Sequence, residues 1–199
     1  PGEAFGTGDH PTTRGCLALM EREGLAGKRV ADLGCGSGIL AVGACLLGAA
    51  SVDASDVDAT AVEVAKGNAE RNGVSFRAVV GEGVRGLLSP QDLEGGEWVQ
   101  DELPGETRVA VERADGLVPV FDVVVSNIIS AVLIRLRAEV AAIVRPGGAW
   151  IVSGIIADNW PDVRIAAERA GFALTDDVHE DGWVAARFRR GTEAPGAVS

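Results

Sequence analysis

The sequence predicts an α/β fold, a parallel sheet doubly wound by helices on both faces and closed by a C-terminal antiparallel hairpin. Between Lys28 and Ser153 short β-type runs alternate with helical patterns, the order that a sheet covered on both faces requires. The chain has 199 residues, 47% of them hydrophobic, enough for one well-buried domain and too few for two ordinary ones. Glycine-containing turns separate the runs at the spacing such units need.

Residues 12–23 carry a helical pattern and lead into a first buried strand over 29–33 and a helix over 39–47. Residues 51–55 form a second strand. Asp58 is placed to cap the next helix, which turns Ala61, Val62, Val64, Ala65 and Ala69 inward and stops at Asn72-Gly73. Residues 76–80 are a third strand. The run Phe-Asp-Val-Val-Val-Ser at 121–126 is apolar enough for a central fourth strand, followed by a helix over 131–144, a turn at Arg145-Pro146-Gly147-Gly148 and a fifth strand over 149–153. Asn159 caps a helix with Pro161 in its first turn, closed by Gly171. The runs 172–178 and 183–188 then pair around Glu180-Asp181-Gly182, which completes seven strands.

Composition narrows the function. Lys and Arg number 18 against 29 Asp and Glu, a formal net charge of −11 that argues against a broad grip on nucleic-acid phosphates and suits a cationic partner. The three cysteines, Cys16, Cys35 and Cys45, show neither an even disulfide framework nor paired metal-ligand spacing, so a cytoplasmic setting without a metal site is expected. No apolar run reaches the roughly 18 residues of a membrane span, and no signal peptide opens the chain, whose first residue is Pro1.

Residues 89–120 fit no element of the scheme. They hold eight acidic and two basic residues, with Gly95-Gly96, Pro104-Gly105 and a lone Trp98, the composition of a solvated insertion; a lid or docking segment is the functional alternative. The expected organisation is one domain over residues 1–191, with 1–13 as a flap, 89–120 as an acidic insertion and 192–199 as a frayed tail.

The chemistry concentrates after the first strand. Asp32-Leu33-Gly34-Cys35-Gly36-Ser37-Gly38 runs straight into a helix, so the backbone can approach a ligand and free N–H groups face an anionic moiety. A dinucleotide fingerprint would need glycine where Ile39 stands, and a P-loop would need a Gly-Lys-Ser/Thr ending that is absent. Asp56 closes the second strand 22 residues after Gly34, where a doubly wound fold sets a carboxylate beside an adenosine ribose, and Asp58 is left to cap the next helix. Cys35 reads as a small residue facing the sheet.

The Asp-x-Gly-x-Gly-x-Gly spacing resembles motif I of class I S-adenosylmethionine-dependent methyltransferases. The run Ala4-Phe5-Gly6-Thr7-Gly8-Asp9-His10-Pro11-Thr12-Thr13 resembles the opening signature of the bacterial ribosomal protein L11 methyltransferases, the PrmA family. Similar matches are Ala69 to Val74, Val123 to Ile128, Arg145 to Gly148, Ser153 to Ile156 and Trp183, so the resemblance covers nearly the whole chain. It implies a Rossmann-like seven-stranded sheet, S-adenosyl-L-methionine as cofactor, and a protein substrate with a lysine or N-terminal amine, namely ribosomal protein L11.

The resemblance also implies site roles. Thr13 contacts the methionine end of the cofactor, Phe5 and Gly6 cover it, Asp32, Gly34 and Gly36 belong to the cofactor loop, and Asp56 holds the ribose. Asn127 sits near the transferring methyl as both a cofactor and a catalytic residue, with a strand-terminal helix cap as the alternative reading of the residue itself. Asn127-Ile128-Ile129-Ser130 departs from the Asn-Pro-Pro-aromatic form of enzymes that methylate nucleic-acid amines: no aromatic is present to stack on a flipped base. Family members carry a recognition domain ahead of the flap, so the chain is expected to be either the catalytic domain of a longer protein or a protein without that device.

Methyl transfer from a sulfonium needs an in-line amine and exclusion of water rather than a nucleophilic side chain. His10 is a candidate general base, with a loop hydrogen-bonding role as its alternative. Three functions therefore stand: a protein N-methyltransferase, a small-molecule amine methyltransferase, and a non-catalytic S-adenosylmethionine-binding protein.

Overall fold

The computed structural model describes residues 8–87, 96–103, 106–113 and 121–192. Seven strands form one sheet: β1 (Arg29–Leu33), β2 (Ser51–Asp56), β3 (Arg77–Val80), β6 (Phe121–Asn127), β7 (Val144–Ile156), β8 (Phe172–Glu180) and β9 (Trp183–Arg190). Their order is β3-β2-β1-β6-β7-β9-β8; the first five are parallel and β9 is antiparallel to both of its neighbours. Asp181 and Gly182, both at positive φ, turn β8 into β9.

Strand alternation sends apolar side chains to both faces. Helices α1 (Pro11–Glu23), α2 (Ile39–Leu46) and α3 (Ala59–Arg71) cover one face, where Cys16, Leu19 and Met20 meet Val30, Val123 and Ile151. On the other face α4 (Gly83–Leu87), α5 (Ser130–Ile143) and α6 (Trp160–Arg169) bury Leu133, Leu136 and Val163 with Ala31, Val124 and Val152. Trp150, 1% exposed, packs on Phe172 and Phe188 and donates its Nε1–H to Ser126 Oγ at 3.2 Å. Burial of each such large side chain contributes about 1.5–3 kcal/mol.

The capping chemistry is as the sequence suggests for α3, where Asp58 Oδ1 accepts the Thr60 N–H at 2.8 Å. Asn159 differs: it stands at the start of α6 without a capping hydrogen bond and points its amide at Ser130 Oγ, 3.4 Å away. The Arg145–Gly148 turn lies inside β7, as the extra residues between the pairs Phe121–Val144 and Val123–Ala149.

Residues 96–103 and 106–113 also depart from a plain loop. Strands β4 (Gly96–Leu103) and β5 (Glu106–Arg113) pair antiparallel as a hairpin separate from the main sheet, and β5 runs beside α5. Among the described residues no helix is long and apolar enough to cross a membrane.

Candidate functional site

The parallel strands β1, β2, β3 and β6 all point their carboxyl ends at the same edge, and the order reverses between β1 and β6, the place where doubly wound sheets open a crevice. The glycine loop starts there. Gly34 (φ 75°) and Cys35 donate their N–H groups to Ser55 O at 2.8 and 3.0 Å, which anchors the loop on β2. A Cβ on Gly34 would stand 2.5 Å from Ile128 Cγ2, and one on Gly38 (φ 77°) 2.7 Å from Ala65 Cβ, so side chains larger than hydrogen are excluded at both positions. Asp56 closes β2 with one carboxylate oxygen accepting the Gly36 N–H at 2.9 Å and the other the Asp58 N–H at 3.0 Å.

The opposite wall comes from α1 and the end of β6. Asn127 Nδ2 donates to Thr12 Oγ1 at 3.2 Å and to Thr13 Oγ1 at 3.5 Å. His10, the N-cap of α1, packs edge-on against Trp183 with ring centroids 5.1 Å apart. These elements enclose a cavity of about 470 Å³. Of the residues expected to bind cofactor, Thr13, Gly34, Gly36, Asp56 and Asn127 line it; Phe5 and Gly6 lie outside the described residues.

Asp32 occupies a different position from the one expected. It does not line the cavity. The alternation of β1 turns it beneath the loop, 1% exposed, where Oδ2 accepts the Ala41 N–H of α2 at 3.1 Å and Oδ1 has no partner among the described residues. Burial pushes its carboxyl up to about 7, the Ala41 N–H opposes that rise, and the charge of Asp56 adds to it. Asp32 therefore holds the loop to α2 from below. Cys35 also lines the cavity, with its thiol raised by burial and by the neighbouring Asp32 and Asp56, which keeps it un-ionised.

A family model described as ribosomal protein L11 methyltransferase (PrmA) matches residues 1–95 and 99–191. The chain belongs to that family. Among curated members of the L11 methyltransferase family, that of Chloroflexus aurantiacus is 41% identical over 96% of this chain and 57% of its own length. One from Pseudomonas putida is 37% identical over 96% of this chain and 55% of its own length. The chain thus spans about half the length of the curated relatives it matches. A crystal structure of ribosomal protein L11 methylase from Lactobacillus delbrueckii subsp. bulgaricus superposes with a TM-score of 0.70 at 25% identity, covering 92% of this chain and 81% of that one.

The cavity also has walls that the sequence reading did not assign. Glu82, after β3, and Arg135, on α5, form an ion pair of 2.6 Å, and both line the cavity with Gly154 and Ile128. A Cβ on Gly154 would stand 2.5 Å from Ile128 O, so β7 presses on the residue after Asn127. Gly154 belongs to the Ser153–Ile156 match and could have been singled out by it; Glu82 and Arg135 carry no local signal, because only folding brings them together.

Proposed function

We propose that this chain is the methyl-transferring part of a protein N-methyltransferase that uses S-adenosyl-L-methionine and acts on a lysine or α-amino nitrogen, with ribosomal protein L11 as the protein substrate. The observation that carries the reading is the meeting of the glycine loop, Asp56 and Asn127 on the walls of one cavity. The reaction is assigned to the cytoplasm. Residues 1–191 are taken as one methyltransferase domain, with 89–120 as an insertion.

The residues present fit the cofactor. A cavity of about 470 Å³ lies within the usual size range of small-molecule sites. Gly34 and Gly36 leave backbone exposed for the methionine part, and the start of α2 offers N–H groups to its carboxylate. Thr13 stands at the methionine end. Asp56 uses one acceptor position on each oxygen for Gly36 and Asp58, which leaves further lone pairs for the two ribose hydroxyls. Phe5 and Gly6 are assigned as the cover by their place in the motif. Asp32 supports the loop without touching the cofactor.

The bound cofactor supplies a sulfonium methyl open to in-line displacement. The chain has to bring a neutral amine within about 3 Å of it and exclude water. A free lysine titrates near 10.4, so an apolar, desolvating wall such as Ile128, Val132 and Leu136 favours the neutral form. Asn127 then orients the amine through its remaining N–H groups. His10 does not act as general base in this reading, because Nδ1 is engaged with Thr12 and the chemistry needs no base on the protein.

Calorimetry with S-adenosylhomocysteine, run beside methyl transfer to ribosomal protein L11 and to free amines, separates the three functions. Binding with transfer to L11 supports the proposal. Transfer only to small amines makes the chain a small-molecule enzyme, and binding with no transfer makes it a binding protein.

A further inference from the structure

The direction in which Asn127 presents its amide follows from a chain of hydrogen bonds that begins at His10. As the N-cap of α1, His10 accepts the Thr12 N–H on Nδ1 at 3.4 Å, so Nδ1 carries a lone pair and no proton. The same nitrogen lies 2.8 Å from Thr12 Oγ1. An acceptor nitrogen at that distance requires the hydroxyl to donate. A hydroxyl has one proton, and with that proton on His10, Thr12 Oγ1 can only accept from Asn127, 3.2 Å away. The Asn127 atom facing α1 is therefore Nδ2, which also reaches Thr13 Oγ1, and the carbonyl Oδ1 is turned the other way. The His10 ring is in turn held against Trp183, with an interplanar angle of 70°, and both line the same cavity as Asn127.

We propose that His10 and Thr12 are positioning residues that lock the Asn127 amide with Oδ1 toward the cavity, as an acceptor for an amine N–H. Two amines have that chemistry: the substrate's acceptor nitrogen and the amino group on the methionine part of the cofactor. Only the first of these rests on the amine methylation proposed above.

The test compares wild type with Thr12→Val and Thr12→Ser in the full chain. Three quantities are read: the ¹⁵N-edited NMR signals of the Asn127 side-chain amide, S-adenosylhomocysteine affinity by calorimetry, and single-turnover methylation. Thr12→Val is expected to move the amide signals and to cost about tenfold in one of the other two, the scale of one lost hydrogen bond to a buried polar group. A loss of affinity assigns Oδ1 to the cofactor's amino group; a loss of rate at constant affinity assigns it to the acceptor. Thr12→Ser, which keeps the hydroxyl, is expected to restore wild-type behaviour. His10→Ser, which keeps a helix cap, is expected to hold the melting temperature near wild type but displace the amide signals. A Thr12→Val protein whose amide signals, affinity and rate all match wild type overturns the proposal, as does an effect confined to thermal stability. A wild-type chain that binds cofactor but methylates no amine refutes the proposed function instead, while the amide signals and the affinity still decide the inference.

Discussion

The Gly36 N–H donates to Asp56 Oδ2 at 2.9 Å, tying the middle of the glycine loop to the end of β2. The residue assigned to the ribose therefore also shapes the loop assigned to the methionine part. Asp56→Ala is expected to weaken S-adenosylmethionine and S-adenosylhomocysteine binding by about 1.5–3 kcal/mol, a ten- to hundredfold change, because charge-assisted hydrogen bonds are lost. Calorimetry reads it directly. Unchanged affinity would transfer the ribose to another acid, Asp58 first.

Asp32 gives a pH signature. Burial lifts its carboxyl from the usual 3.8 to about 7, so the folded protein binds a proton that the unfolded chain releases. Its contribution is therefore most favourable below the unfolded value, declines as pH rises toward 7, and is constant above that. Asp32→Asn removes this titration, and the difference in unfolding free energy, mutant minus wild type, is expected to grow across that interval. Denaturant melts from pH 4 to 8 provide the comparison. A difference that does not change with pH would mean that the carboxylate is stabilised by a partner.

Glu23 works with the opposite sign. At 3% side-chain exposure it bonds Lys28 Nζ at 2.7 Å and Arg189 Nη2 at 2.7 Å, linking α1 to β9. Burial alone would raise its carboxyl, but the hydrogen bonds from Arg189 and Lys28 outweigh that and hold it below the usual range. Its stabilisation is full above the unfolded value and is lost as pH falls through the folded one. Glu23→Ala leaves these cations facing each other and is expected to cost about 1–3 kcal/mol at neutral pH, reduced from a fully buried pair because the cations are partly exposed. The mutant should lose less stability than wild type on acidification; parallel acid profiles would remove Glu23 from the account.

Replacing residues 89–120 by a short Gly/Ser linker is expected to leave cofactor affinity and melting temperature close to wild type. All seven strands of the main sheet lie outside that segment, and loop length adds little closure entropy. A large drop in melting temperature would show that the hairpin contributes to the core through its contact with α5.

The sheet was legible because its strands are short apolar runs separated by turn residues, and Phe121 to Ser126 allows no other reading. The β4–β5 hairpin was not, because acidic residues interrupt 96–103 and hide it, although Thr107-Arg108-Val109-Ala110-Val111 alternates in a way that signals a strand. Asp32 looked like a ligand because an acid opens the glycine motif. Strand parity buries its side chain under the loop, away from the cavity wall. Motif and spacing singled out Thr13, Gly34, Asp56 and Asn127, all of which line the cavity, whereas the pairing of Glu82 with Arg135 depends on residues 53 positions apart and has no mark in either segment.

Transfer of a methyl group to a protein amine, as proposed for this cavity, leaves a mark on the substrate. The most direct measurement incubates the chain with methyl-labelled S-adenosylmethionine and ribosomal protein L11, then locates the label by peptide mass spectrometry. Label is expected on lysine or α-amino nitrogens of L11, abolished in Asp56→Ala at cofactor concentrations that saturate wild type only. Saturating cofactor binding by the wild-type chain with no label on L11 would contradict it.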